Sequence, residues 1–154
     1  AFASKPAMST DKLDSLLSRA ERAGIYHMPY AADLALEEAA ESLDYPMHRI
    51  NLSKVTDKDG FLDAIGKALD FPDWYGHNWD ALADCLTDLS WMAADGYVIV
   101  LDHADAFARA NPTDFATALS IFQDAADTWR EDGIPFWALI GTATDGIAWL
   151  RELE

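Results

Sequence analysis

Tyr97-Val98-Ile99-Val100-Leu101 is an unbroken apolar run, mostly β-branched. A strand with one wet face alternates apolar and polar residues. A continuous run needs cover on both faces, as on an inner strand of a parallel sheet. Three further short runs, Ile25–Pro29, Met47–Leu52 and Pro135–Ile140, read as companion strands. Helical patterns lie between them. Lys12–Arg22 and Ala31–Leu43 flank the first run; the second is rich in Ala, Leu and Glu. Phe61, Leu62, Ile65 and Leu69 recur at helical spacing. So do Phe115, Leu119, Phe122, Ala126 and Trp129, after a helix-start signal at Asn111-Pro112-Thr113-Asp114 and before Gly133 and Pro135. Strands alternating with helices predict an α/β fold: a small parallel β-sheet flanked by helices, with Tyr97–Leu101 central. No internal repeat, low-complexity stretch or interdomain linker interrupts the pattern.

Composition fits this picture and narrows the partners. The chain has 154 residues, 51% of them hydrophobic and 12% aromatic, enough to bury a core without staples. It carries 27 Asp+Glu against 11 Lys+Arg, a formal net charge of -16. Such a field repels phosphate backbones and anionic lipid, so nucleic-acid and membrane binding are not expected, and a basic partner is the natural counterpart. Acidity for solubility alone is the bland alternative. The lone Cys85 cannot form an internal disulfide, and a reducing, cytoplasmic setting is expected. No stretch is long and apolar enough to cross a bilayer. Ala1–Ala7 lacks the apolar centre of a signal peptide, and Met8-Ser9-Thr10-Asp11 reads as a natural start. Residues 1–7 are therefore set aside as an expression remnant.

The functional signal lies between Leu69 and Leu89. Pro72 and Gly76 break the preceding helix, and a new one starts near His77 or Asn78. At about 100° per residue, Trp79, Leu82, Cys85, Leu86 and Leu89 fall on one arc, while His77, Asp80, Asp84, Thr87 and Asp88 fall on the other. Asp80 and Asp84 stand side by side at i and i+4, a spacing at which like charges destabilise a helix. No Lys or Arg occurs between Ala68 and Ala108 to neutralise them. A broken local rule of this kind points towards function, although a merely solvated face has the same pattern.

Pro72-Asp73-Trp74-Tyr75-Gly76, then Asn78, Asp80-Ala81-Leu82 and Asp84-Cys85-Leu86-Thr87, resembles the second helix of the barstar family and the loop leading into it. The likeness runs over roughly 47–141. It implies a three-stranded core of parallel strands within 47–154, to which 8–46 would add a helix, a strand and a helix. It also implies a non-catalytic inhibitor that covers the active site of a basic, secreted-type ribonuclease. In such a complex Asp84 would be the central acidic anchor and Asp80 its acidic neighbour. Trp74 would stand where the family has an aromatic, usually Tyr, over the catalytic histidine. Asn78 and Thr87 would make flanking contacts, and Asp124 would meet the nuclease rim from the later helix. The free protein would be a monomer, with no cofactor and no metal. Ala83 stands where the family's well-known member has Trp, and Asp88-Leu89 where it has Gly-Trp, which leaves the target nuclease undefined. An immunity protein for another basic toxin and a non-inhibitory interaction module remain as alternatives.

Other residues point to less. His27, His48, His77 and His103 lack metal-ligand spacing with Cys85. Asp102-His103-Ala104-Asp105 follows a strand, where α/β enzymes place reactive groups; a strand-end turn with a helix-capping Asp is the plainer reading. Gly133, Gly141 and Gly146 form no phosphate-binding pattern. Cys85, Trp79 and Trp129 are expected in the core, and Trp74 in an exposed loop.

Overall fold

The computed structural model describes residues 10–28 and 32–141. Ala1–Ala7, Pro29, Ala31 and Gly146 lie outside the described residues. Four strands form one all-parallel sheet: β1 (Ile25–His27), β2 (Met47–Asn51), β3 (Tyr97–Asp102) and β4 (Phe136–Ile140), in the order β1-β4-β3-β2. β3 is internal, paired with β2 through Ile99↔His48 and with β4 through Ile99↔Ala138. The N-terminal strand pairs with β4 through Ile25↔Ala138, so the segment before residue 47 completes the sheet at its far edge.

Side-chain alternation along β3 divides the core in two. Val98 and Val100 face a cluster with Trp137, Leu139 and Tyr26 beneath α1 (Thr10–Leu17) and α2 (Asp33–Ser42). Tyr97, Ile99 and Leu101 face the larger cluster beneath α3 (Lys58–Ala68), α4 (Trp79–Asp88), α5 (Asp105–Ala110) and α6 (Pro112–Glu131). Both faces are dry, which is why the run is continuous.

The first helix departs from its expected span. It ends at Leu17, and Ala20–Arg22 form a separate 3-10 turn. The indole of Trp137 donates to the Leu17 carbonyl at 3.0 Å, supplying from the sheet a partner for an otherwise orphaned helix end. Trp91 does the same for Leu69 after α3 (3.0 Å), and Trp129 for Leu86 in the last turn of α4 (2.8 Å). The short α5 had no periodic signal to announce it. Its six residues end at Ala110, two positions before the Pro112 that opens α6.

Candidate functional site

The site is built on α4 and the loop before it. α3 stops where Asp70 turns left-handed (φ 54) and the Phe71 amide reaches back to the Gly66 carbonyl at 2.9 Å. The loop is then pinned by Tyr75, which is buried. Its hydroxyl donates to the Leu62 carbonyl (2.9 Å), and its ring packs against Phe71 at 4.8 Å. Gly66 makes room for that ring: a Cβ there would lie 2.8 Å from Tyr75 Cε2. With Tyr75 held inside, Trp74 is turned out and is 58% exposed. His77 adopts φ 53 with its ring 4.5 Å from that of Tyr75, setting the angle at which the chain enters α4.

Asn78 starts α4. Its Oδ1 accepts the Ala81 amide proton at 2.8 Å, a helix N-cap. The side chain is exposed but employed within the fold, so any contact with a partner would use what the cap leaves free. Leu82, Cys85, Leu86 and Leu89 are fully buried beneath the helix. Trp79 is only half-buried, at the rim, with its ring 6.2 Å from Phe61 and Lys58 Nζ 5.5 Å from its centre. Burial pushes the Cys85 thiol up to about 11, with Asp84 and Asp88 adding to the effect, so it is no nucleophile at neutral pH.

Asp80, Asp84 and Asp88 are exposed on the opposite face. Asp80, in the first turn, is favoured by the helix dipole; Asp84 and Asp88 are not. Among the described residues no cation pairs with any of the three. Arg130 binds Asp127 (2.7 Å) and the Ala23 carbonyl (2.6 Å). Thr87 departs from its expected place on the open face. It is half-buried, and its hydroxyl donates to the Ala83 and Asp84 carbonyls (2.9 and 3.2 Å). It stands at the border of the face with its hydrogen used inside the helix. Ala83 is half-buried beside it, and Leu89 closes α4 in a left-handed conformation, φ 47. Asp124 is exposed on α6, opposite the buried Phe115 and Phe122. Thus Trp74, Asp80 and Asp84 form an open, acidic surface with an aromatic at its entrance.

The capping reading of Asp102 and Asp105 requires correction. Asp105 lies inside the first turn of α5, whose N-cap Ala104 offers no side-chain bond. Asp102 takes a two-pronged contact from Arg49, 3.0 Å from both Nε and Nη2, and Arg49 also meets Asp33 at 2.8 Å. This cluster ties β2, β3 and α2 together. Sequence reasoning missed it because its members lie 16 to 69 positions apart and no local pattern links them. Among the described residues no group of His, Cys, Asp and Glu is arranged to hold a metal ion, and no helix is long and apolar enough to cross a membrane.

Residues 45–141, more than half of the chain, match the family model described as Barstar (barnase inhibitor). No curated protein matches the chain. Among solved structures, the Aeropyrum pernix ORC1 protein in complex with DNA is similar at 20% identity and a TM-score of 0.47, over 87% of this chain and 38% of that one. That likeness is too slight to bear on fold or function.

Proposed function

Because the chain belongs to the barstar family, we propose that it is a non-catalytic inhibitor that plugs the active site of a basic ribonuclease with α4 and the Trp74 loop. One observation carries the reading. Asp80 and Asp84 are held side by side in water, with no cation paired to either among the described residues, on a helix whose opposite face is buried. A ribonuclease cleft must attract phosphates and is lined with Arg, Lys and His. Two carboxylates at fixed spacing on a rigid helix are suited to the same groups, with short charge-assisted hydrogen bonds. Trp74 would cover those pairs and exclude water. Asp124, on the neighbouring helix, would meet the rim, and Asn78 and Thr87 would flank the anchor. The net charge of -16 would steer a basic enzyme towards this face and raise the association rate.

The test is titration of candidate basic ribonucleases with the protein and its variants, with association and dissociation followed by stopped flow. Asp84→Ala is expected to speed dissociation, costing on the order of 2–5 kcal/mol of affinity, because a desolvated partner cation would lose its counterion. Asp105→Ala is expected to change only the salt-sensitive association rate. Equal effects of the two would mean that the acidity acts diffusely, and the anchored-helix reading would fall.

A further inference from the structure

β2 is an outer strand, and the direction of its free backbone groups follows from the ladder. The Val98 amide bonds to Pro46 O (3.1 Å) and the Leu52 amide to Asp102 O (2.9 Å). In a parallel pair, donors and acceptors alternate. Residues 46, 48, 50 and 52 therefore bond inwards to β3, and the N–H and C=O groups of Met47 and Arg49 point outwards. Among the described residues neither backbone has a partner. This edge opens on a cleft of about 860 Å³ between the C-terminal half of α2 and the 92–95 turn. It is lined by the carboxylates Glu37, Glu41, Asp44 and Asp95, and its apolar lining is Tyr45 and Met47 on the α2 face of the sheet and Met92 on the other. Among the described residues Arg49 is the one cation that lines it, and Asp102 and Asp33 already hold that side chain.

An open strand edge, an apolar lining and unneutralised carboxylates in one place specify an occupant. We propose that β2 accepts an extended, Lys/Arg-bearing segment of a partner protein as a fifth strand, with cationic side chains on the α2 face of the sheet, against Glu37, Glu41 and Asp95, and apolar ones on the opposite face, against Met92. Charge argues against the two internal candidates. A second copy brings a further net charge of -16, and the chain's own 142–154 holds Asp145, Glu152 and Glu154 against Arg151. The surface lies beyond the C-terminal end of α4, whereas the proposed nuclease contact centres on Trp74, Asp80 and Asp84. Strand addition at β2 is independent of that contact.

The probe is a fluorescent eight-residue peptide of alternating Lys and Val, titrated by anisotropy at low salt. Its binding is mapped by amide chemical shifts and hydrogen exchange on the full chain. Added protection at the Met47 and Arg49 amides is expected. Glu41→Lys with Asp95→Lys should weaken binding at least tenfold. Asp59→Lys with Glu131→Lys, an equal change of charge elsewhere, should weaken it less than threefold, and Asp84→Ala should leave it unchanged. A peptide N-methylated at alternate residues should fail to bind. Shifts centred on α4, equal losses in the two Lys pairs, or undiminished binding of the N-methylated peptide would each overturn the proposal.

Discussion

Replacing Asp84 with alanine should stabilise the free protein. The carboxylate is exposed, and among the described residues no cation loses a partner when it goes. Alanine exceeds aspartate in helix propensity by roughly 0.5–0.7 kcal/mol. The substitution also removes two like-charge i,i+4 pairs, with Asp80 and with Asp88, at about 0.2–0.5 kcal/mol each. The backbone carbonyl that accepts the Thr87 hydroxyl is unaffected. The sum is a gain of about 1–1.7 kcal/mol at low ionic strength, equivalent to about 3–5 °C in Tm for a chain of this size. Urea unfolding followed by circular dichroism measures it directly, read as a shift in midpoint at constant slope. The charge part should shrink in about 0.5 M salt while the propensity part persists. A loss of stability would show that the Asp84 carboxylate makes a favourable contact inside the free protein. Asp84 would then not be a group held ready for a partner.

Asn78→Ala should cost about 0.5–2 kcal/mol in the same assay, because the Ala81 amide loses its cap. Tyr75→Phe removes the hydroxyl that joins the loop to the Leu62 carbonyl and should cost about 0.5–1.5 kcal/mol; unchanged stability would mean that the bond does not hold the Trp74 loop. The Cys85 thiol titrates near 11 in the native protein, against 9 for an ordinary thiol. Its proton is thus held more tightly in the folded state, and the resulting stability is present below about pH 9 and lost as pH rises through 11. Cys85→Ala should flatten the stability profile across that window, and an equally steep profile in the variant would assign the loss to other groups.

The sheet and most helices were legible because their signals are local. Five consecutive apolar residues at 97–101 require an inner strand, and the wheel over 77–89 separates Leu82, Leu86 and Leu89 from Asp80 and Asp84 as the structure does. What escaped depends on distant partners. The end of α1 at Leu17 is set by an indole 120 positions away, and Asp102 is engaged by Arg49 rather than by the helix that follows it. For Thr87 the face was read correctly in angle but not in depth. Side-chain bonding back to a carbonyl one turn earlier draws a hydroxyl into the helix, and a wheel has no coordinate for that.

The pairing of β1 with β4 has a consequence for synthesis. Ile25 meets Ala138, so among the described residues β1 has its strand partner only after β4 has been made. At about 5–20 residues per second, the 113 positions from Ile25 to Ala138 take roughly 6–23 s to make. Throughout that interval Leu13, Leu16, Leu17, Ile25 and Tyr26, all buried in the finished molecule, have no completed sheet to cover them. Folding should therefore finish as a late, long-range closure of the β1 edge.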